Sequence, residues 1–378
     1  MALWDELVGQ DDAIAVVEAA AAVGDSGGMT HSWLITGPPG SGRSTLAFAF
    51  AAALLGGDEA TRRQVDARTH PDLAVLSTDR VIISIDEVRQ LVAASQYSPS
   101  VARYRVMIIE DADRMAERTS NVLLKALEEP PPRTVWILCA PSEADLIPTI
   151  RSRVRTLRLR VPSAEDVAAL LVRRDGVAPE LAAQAARHAQ SHIGMAHRLA
   201  TNADARERRE RTLDLALGLR RASHAVIGAA TLLEIAKSDA EAITQERDAQ
   251  ERDAALRSLG IEPGGTVPAA LRSQLKTLEE DQKRRATRSL RDGIDRILVD
   301  LLSLYRDILL VQLGVPGEPV NDHLADRVAA AAASATAAQT LATMDAIAVA
   351  RRRIESNVAP VLALEAMLVT AIRPEARS

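Results

Sequence analysis

The sequence predicts an α/β protein, in which a module with a parallel sheet is followed by regions made of helices alone. Three observations predict this. Between residues 33 and 160, short apolar runs alternate with helical patterns, as expected for strands joined by crossover helices. A glycine-rich stretch, "GPPGSGRST" (37–45), follows the first apolar run. After Val161 the strand patterns end and only helical patterns continue.

The predicted strands are short runs whose apolar character indicates burial on both faces, except the last, which alternates and predicts one exposed face. They are "SWLIT" (32–36), "DLAVL" (72–76), "RVMIIE" (105–110), "TVWILC" (134–139) and "RTLRLR" (155–160). Helices are predicted between them at about 44–55, 86–95 and 119–129, the last of which is stopped by three prolines at 130–132.

The region after Val161 divides into two helical parts. A small one begins with "PSAEDVAALLVRR" (162–174), where Ser163 is the predicted N-cap, and continues with helices at 179–191 and 194–201. The longer one has charge-dense helices, a loop at 259–268 and a closing helix at 358–372. An amphipathic stripe is formed by Leu290, Ile294, Ile297, Leu301, Tyr305 and Ile308. The predicted domains are 1–161, 162–203 and 204–378, the last with a charged insertion at about 235–285.

Composition excludes several classes of protein. The chain has 378 residues and a formal net charge of −5, so any contact with nucleic acid has to be local. The start lacks the layout of a signal peptide, and the longest apolar run, "LAFAFAAALL" (46–55), is about half of what a membrane helix needs. We therefore expect a cytoplasmic protein without membrane contact. Cys139 is the only cysteine, which excludes an internal disulfide, and we expect it to be a buried strand thiol.

The glycine-rich stretch almost matches the phosphate-binding pattern G-x-x-x-x-G-K-[ST]. Gly37, Gly42 and Ser44 fit the pattern, and Arg43 stands where lysine is expected. In such a loop, backbone N–H groups hold a phosphate and the hydroxyl binds Mg²⁺. The alternative is a tight turn from strand to helix that binds nothing. The candidate nucleotide-binding residues are Gly37, Gly40, Gly42, Arg43, Ser44, Thr45, Glu110 and Asp111.

The two acids complete the candidate site because they follow a buried strand. A working nucleoside triphosphatase has an aspartate there for Mg²⁺ and a neighbouring carboxylate that activates water. Here the order is reversed, with Glu110 first and Asp111 second. At the metal position, glutamate is one methylene longer than the usual aspartate. At the water-activating position, aspartate is one methylene shorter than the usual glutamate. A solvent-facing charge pair is the alternative.

Several motifs occur in the order and spacing found in a known family. They are "LVGQ" (7–10), the glycine loop, "IIEDADRM" (108–115), "NVLLKALEEPPP" (121–132) and "LIPTIRSR" (146–153). Over roughly residues 1–200 the chain resembles the AAA+ clamp-loader subunits of bacterial DNA polymerase III, in particular their stator branch, of actinobacterial type. The resemblance implies an AAA+ module, a helical lid and a helical collar. It also implies a hetero-pentamer with tau/gamma motor subunits and a delta subunit, which places a sliding clamp on primed DNA.

Departures from the family pattern predict a degenerate site. Ala140 and Pro141 stand where motor subunits carry a polar sensor of the γ-phosphate, and the sequence leaves open whether His197 or Arg198 is the second sensor. Together with Arg43 and the reversed acids, these departures disturb a geometry on which catalysis depends. We expect ATP or ADP with Mg²⁺ to be held weakly and not hydrolysed. We expect no metal site of the protein's own and no zinc, because the segment before "THPD" (69–72) has no cysteine.

Arg153 occupies the position at which the family carries its arginine finger. A finger supplies positive charge to the γ-phosphate of a neighbouring subunit's ATP. The alternative is an ion pair within the chain, with Glu110 or Asp113. Arg155, Arg158 and Arg160 predict a solvated strand face, with contact to a nucleic-acid backbone as the alternative.

The favoured interpretation is a clamp-loader stator whose own ATPase activity is lost. An active motor subunit resembling tau/gamma is the first alternative, and a AAA+ regulator outside replication is the second.

Overall fold

The computed structural model describes residues 4–22, 30–78, 82–258 and 272–372. They form two compact units, Met1–Thr201 and Asn202–Ser378. The predicted sheet module and the predicted lid both fall within the first unit, and their separation into two domains stays a prediction. The loop predicted at 259–268 lies outside the described residues.

The first unit is built on a sheet of five parallel strands in the order β2-β3-β4-β1-β5. Its strands are β1 (Ser32–Thr36), β2 (Leu73–Leu76), β3 (Arg105–Ile109), β4 (Thr134–Ala140) and β5 (Arg155–Arg158). Its first helices are α1 (Asp11–Ala22), α2 (Arg43–Leu55), α3 (Glu59–Asp66), α4 (Ile85–Ser95), α5 (Glu117–Glu128) and α6 (Pro148–Arg151). This arrangement confirms the predicted α/β class and its parallel sheet.

Both faces of the sheet are covered, as the continuous apolar strands predicted. On one face, Trp33 of β1 packs with Phe50 of α2, their ring centroids 5.3 Å apart. On the other face, Leu34 of β1 packs in a cluster with residues of α4 and α5, including Leu91 and Leu123. Successive residues of a strand point to opposite faces, so two separate apolar layers hold the sheet in place.

Three further helices of the first unit pack on one another: α7 (Ala164–Asp175), α8 (Pro179–His188) and α9 (Ile193–Thr201). Ser163 caps α7 as predicted, since its hydroxyl accepts from the Asp166 N–H at 3.0 Å. Val167, Leu170 and Leu171 of α7 are buried, so this small helical part has an apolar core.

The second unit is entirely helical in its described residues. Its helices are α10 (Ala203–Leu217), α11 (Ala222–Ser258), α12 (Arg272–Leu313), α13 (Ala325–Ala333), α14 (Ala337–Glu355) and α15 (Pro360–Thr370). The predicted apolar stripe lies on α12. Five of its six residues are buried in the core of this unit, and Leu290 packs against that core while partly exposed. Its role is therefore to hold the second unit together.

Differences from the predicted elements are small in the sheet and larger in the helices. Strand ends differ by one or two residues from the predicted ends. The helices α1, α3 and α6 were not predicted. For α3 a local signal was present in the sequence, namely Asp58, which caps the helix by accepting from the Thr61 N–H at 2.7 Å. In the part of the chain that the structure describes, no helix combines the length and apolar character needed to cross a bilayer.

The segment "THPD" has a structural role that its sequence did not reveal. Asp72 is fully buried and accepts from the backbone N–H groups of Ser100, Val101 and Ala102 at 2.6 to 2.8 Å. Burial raises the pKa of Asp72, but these hydrogen bonds outweigh it and lower the pKa to about 2. His70 is buried, and its Nδ1 accepts from the Asp72 N–H at 3.1 Å, as expected for a histidine in a turn.

Candidate functional site

The glycine loop (37–42) joins the end of β1 to the start of α2. Gly40 and Gly42 have φ angles of +80° and +93°, a conformation that favours glycine. At Gly37 the limit is space, because a Cβ there would lie 2.6 Å from Ser41 Oγ. Thr45 lies in the first turn of α2. The loop thus has the strand, turn and helix that an anion-binding loop requires.

Arg43 is the first residue of α2, and its side chain turns back on the loop. Its Nη1 donates to the Gly37 carbonyl at 2.8 Å, so the guanidinium links the end of the loop to its beginning. This contact fixes the guanidinium at the base of the loop, and only its remaining N–H groups are left for a phosphate.

Glu110, which follows β3, has both carboxylate oxygens engaged by the chain itself. Arg68 Nη2 donates to Oε1 at 2.9 Å, and Ser44 Oγ donates to Oε2 at 3.4 Å. The structure therefore brings the predicted residues Ser44 and Glu110 together, and it adds Arg68. A magnesium ion at this carboxylate would have to share it with a guanidinium charge, so these residues fit Mg²⁺ poorly. Nothing in the sequence pattern pointed to Arg68.

Asp111 has a φ of +52°, and its carboxylate lies 3.5 Å from the Arg114 guanidinium. Burial raises the pKa of Asp113, and the charge of Asp111 raises it further. The acid in the predicted water-activating position is thus oriented by an arginine of the same chain, beside a second carboxyl.

The end of β4 meets the loop through the backbone. The Gly37 N–H donates to the Pro141 carbonyl at 3.2 Å, and neither Pro141 nor Ala140 has a side chain that can form a hydrogen bond. Cys139 is buried, and burial raises the pKa of its thiol far above the usual range. This position therefore offers a γ-phosphate no side-chain donor.

A histidine at the start of α9 covers the loop, which the sequence did not predict. A Cβ on Gly40 would lie 2.3 Å from His192 Cγ, so the imidazole packs directly on that glycine. The Ile193 N–H also donates to the Gly40 carbonyl at 3.3 Å. The segment "SHIGM" (191–195) carried the signal, since it places an imidazole ring two residues before Gly194, where the suspected second-sensor segment begins.

The two predicted sensor candidates lie further along α9. His197 Nδ1 is 2.8 Å from Asp175 Oδ2, and Arg174 forms two hydrogen bonds with the same carboxylate. Hydrogen bonding from Arg174, together with that from His197, lowers the pKa of Asp175 despite its partial burial. Arg198 is the next residue of the helix. The structure thus gives His197 a partner on α7, and the sensor assignment stays a prediction.

Arg153, the predicted finger, lies two residues after α6. Its Nε donates to Glu128 Oε1 at 2.5 Å, and its Nη1 donates to the Thr149 carbonyl at 2.8 Å and to Ser152 Oγ at 3.0 Å. The side chain is 33% exposed. An ion pair within the chain is therefore present, but its partner is Glu128 and not Glu110 or Asp113.

The other arginines of this segment lie on an exposed face and have partners of their own. Arg158 pairs with Glu143 at 3.0 Å, Arg160 pairs with Asp12 at 2.8 Å, and Arg155 lies over the Trp33 ring, 4.9 Å from its centroid. This agrees with the solvated strand face that the sequence predicted.

Comparison with known proteins finds a family model and several relatives that resemble part of this chain. A family model described as "DNA polymerase III, delta subunit" matches residues 10–163. The delta' subunit of DNA polymerase III from Pseudomonas aeruginosa is 34% identical over 145 residues, covering 35% of this chain and 44% of that protein. The gamma/tau subunit from Mycobacterium bovis is 29% identical over 182 residues, covering 46% of this chain and 31% of that protein.

A third relative and one solved structure also match this chain. The delta' subunit from Bacillus subtilis is 27% identical over 195 residues, covering 50% of this chain and 59% of that protein. A gamma subunit-related protein from Thermotoga maritima aligns over 95% of this chain and 98% of its own, at 16% identity and a TM-score of 0.41, which is too weak a likeness to carry an argument.

The alignments thus span between about a third and three fifths of these curated relatives. The family model matches residues 10–163, which include the glycine loop, the two acids and Arg153. The chain is thus similar both to delta' subunits and to gamma/tau subunits of DNA polymerase III.

Proposed function

We propose that this chain is the delta-prime stator of a DNA polymerase III clamp loader. It stands in a hetero-pentamer beside tau/gamma motor subunits and a delta subunit, and it helps them to load a sliding clamp onto primed DNA in the cytoplasm. Its own site holds ATP or ADP weakly and does not hydrolyse it. Its contribution to catalysis is Arg153, which acts on the ATP of a neighbouring subunit.

The observation that carries this proposal is that the chain's own side chains fill its nucleotide site. His192 packs on Gly40, Arg43 binds the Gly37 carbonyl, and Arg68 pairs with Glu110. Each of these contacts uses a group or a space that phosphate or metal needs in a working site. Since transition-state geometry depends on small distances, three such contacts together favour a site without turnover.

Arg153 is suited to act in trans because it needs no working site in its own subunit. During hydrolysis in the neighbour, water attacks the γ-phosphorus, the bond to the β-phosphate oxygen breaks, and ADP leaves. Negative charge develops on the transferred group, and a guanidinium stabilises it by bidentate hydrogen bonds. In the isolated chain the Arg153 guanidinium is hydrogen-bonded to the Glu128 carboxylate. Acting as a finger therefore exchanges one oxyanion partner for another.

The alternative is an active motor subunit, and one observation favours it. The gamma/tau subunit from Mycobacterium bovis matches over 182 residues, a longer stretch than the 145 residues matched in the delta' subunit from Pseudomonas aeruginosa. The length of an alignment does not test whether the nucleotide site of this chain is active, whereas a measurement of ATP turnover does.

The experiment has two stages. The purified chain is first mixed with tau/gamma, delta and clamp proteins of the same organism, and the complexes are separated by size-exclusion chromatography. ATP hydrolysis is then measured for the chain alone and for the assembled complex. The proposal expects one copy of this chain in the complex and no turnover by the chain alone. Failure to join the complex, or turnover by the isolated chain, would contradict it.

A further inference from the structure

Arg68 and Glu110 form an ion pair at the place where a glycine-loop site holds its metal. Arg68 Nη2 lies 2.9 Å from Glu110 Oε1, and the hydroxyl of Ser44, the predicted metal ligand, donates to the other oxygen of the same carboxylate. The Glu110 side chain is only 15% exposed, whereas Arg68 is 47% exposed. A positive charge therefore already stands beside the two groups that would receive Mg²⁺.

The chain holds the Arg68 guanidinium in this place by two further contacts. Arg68 follows the end of α3 with a φ of +57°, and its N–H donates to the Val65 carbonyl at 2.9 Å. A left-handed conformation is uncommon for a residue with a side chain, and here the helix end imposes it. The Phe48 ring of α2 lies under the guanidinium, 5.1 Å from Cζ to the ring centroid.

A groove of about 360 Å³ lies beside this pair. Among its lining residues are Ser44, Thr45, Phe48, Arg62, Asp66 and Arg68. The groove makes Arg68 and Ser44 accessible from solvent, and it carries a second arginine: Arg62 lies 3.8 Å from Asp66.

We propose that the Arg68 guanidinium is a built-in cation that takes the place of Mg²⁺ at Glu110, so that the glycine loop binds nucleoside phosphates free of metal. A divalent ion at Glu110 either displaces Arg68 or is repelled by its positive charge, and both weaken binding of the ion. The site also binds Mg²⁺ poorly, because this ion requires near-ideal octahedral coordination by oxygen atoms. Metal-free phosphate, by contrast, carries extra negative charge that a guanidinium can receive. This inference rests on the proposed function, because it concerns the same degenerate site.

The test measures ADP binding to the full chain by isothermal titration calorimetry, once with EDTA and once with millimolar MgCl₂. ADP is the probe because it binds without turnover. The wild type should bind ADP no more tightly with MgCl₂ than with EDTA, because Mg²⁺ also forms a complex with ADP in solution. In Arg68→Met, which keeps an unbranched apolar side chain beside Phe48 and removes the charge, Mg²⁺ should strengthen ADP binding by about fivefold or more. That size corresponds to a partly exposed charge pair.

Arg62→Met is the matched control, since it removes the same charge from the same groove but belongs to the pair with Asp66. It should behave as the wild type does. A second readout is the loss of free Mn²⁺ signal in electron paramagnetic resonance with ADP present, measured relative to the same mixture of Mn²⁺ and ADP without protein, because ADP itself binds Mn²⁺. Only Arg68→Met should take up Mn²⁺.

Three results would overturn the inference: stronger ADP binding by the wild type with MgCl₂, an equal gain in Arg62→Met, or no gain in a folded Arg68→Met. Absence of ADP binding by the wild type in both buffers would also overturn it, while leaving the stator proposal standing. If Arg68→Met does not fold, the comparison of wild-type ADP binding with and without MgCl₂ still tests the inference. ATP turnover by the wild type would instead overturn the proposed function.

Discussion

Arg153 donates from Nε to Glu128 Oε1 at 2.5 Å, and this ion pair joins the segment after α6 to the last residue of α5. The two residues come from the two motifs on which the family resemblance depends most, "NVLLKALEEPPP" and "LIPTIRSR". Their separation of 25 residues therefore has a physical reason in this chain. One motif supplies the carboxylate that orients the arginine of the other.

The isolated chain should hydrolyse ATP at the background rate. Arg43 is bound to the Gly37 carbonyl, Glu110 is paired with Arg68, and Ala140 offers no hydrogen bond to a γ-phosphate. Restoring lysine alone, in Arg43→Lys, should not produce turnover, because the other two defects remain. Release of inorganic phosphate is the measurement. A rate of about 1 s⁻¹ or more, abolished in Ser44→Ala, would support the motor interpretation instead.

The second unit should not tolerate a charge on the buried stripe of α12. Ile294 and Leu301 are each 1% exposed, so Ile294→Asp or Leu301→Asp buries a carboxylate among apolar side chains. Each change should cost more than about 4 kcal/mol and prevent the unit from folding. Val299→Asp is the control, because Val299 lies on the same helix and is 36% exposed. Circular dichroism during urea unfolding measures all three. Intact folding of both buried variants would show that the stripe is not core.

Asp72 should make stability depend on acid pH. Its pKa in the folded chain is about 2, below the ordinary value of 3.8. Its contribution is therefore complete above the unfolded pKa, and it is lost as pH falls from about 5 towards 2. Asp72→Asn should cost about 2 kcal/mol in the free energy of unfolding near neutral pH, and less near pH 3.

Urea unfolding of the wild type and Asp72→Asn at the two pH values gives the comparison. Asp86→Asn is the control, since the Asp86 side chain is 76% exposed and pairs with Arg89 on the surface. A penalty for Asp72→Asn that stays the same at both pH values would show that Asp72 acts by shape and not by charge.

Purified protein should contain no stoichiometric zinc. The chain has one cysteine, and it is buried in β4. His70 uses Nδ1 to accept from the Asp72 N–H, which leaves it in a turn and not in a cluster of thiolates. Elemental analysis by plasma mass spectrometry is the check. One zinc ion per chain would mean that the segment at 56–72 has been misinterpreted.

Sequence patterns predicted those parts of the fold that local chemistry determines. The continuous apolar runs became strands of a sheet covered on both faces, and Gly40 and Gly42 of the loop occupy left-handed conformations. Ser44 and Glu110 were both assigned to one candidate site, and the structure places them 3.4 Å apart, whereas their direct hydrogen bond was not predicted.

The contacts that close the site could not be predicted in this way. Arg68 meets Glu110 across 42 residues, and His192 reaches Gly40 from a different helix. Neither pair belongs to a motif. Each depends on how a helix end is oriented: Arg68 on the left-handed turn after α3, and His192 on the packing of α9. Hydrophobic periodicity in the sequence indicates which side of a helix or strand is buried. It does not indicate which distant residue contacts that side.

The finger assignment is tested on the isolated chain before it is tested in the complex. The Arg153–Glu128 pair is partly exposed, so Arg153→Ala should lower the stability of the isolated chain by no more than about 1 kcal/mol. A larger loss of melting temperature would indicate that the pair is mainly structural. Arg158→Ala is the matched control, because Arg158 forms an equally local pair with Glu143.

The most direct test of the stator account is single-turnover ATP hydrolysis by the assembled clamp loader carrying Arg153→Ala. The account predicts normal assembly, and hydrolysis slowed by about 10³-fold or more at the one site that faces this subunit. The remaining sites and the Arg158→Ala control should stay at the wild-type rate. An assembled Arg153→Ala complex that hydrolyses ATP at the full rate at every site would contradict the account.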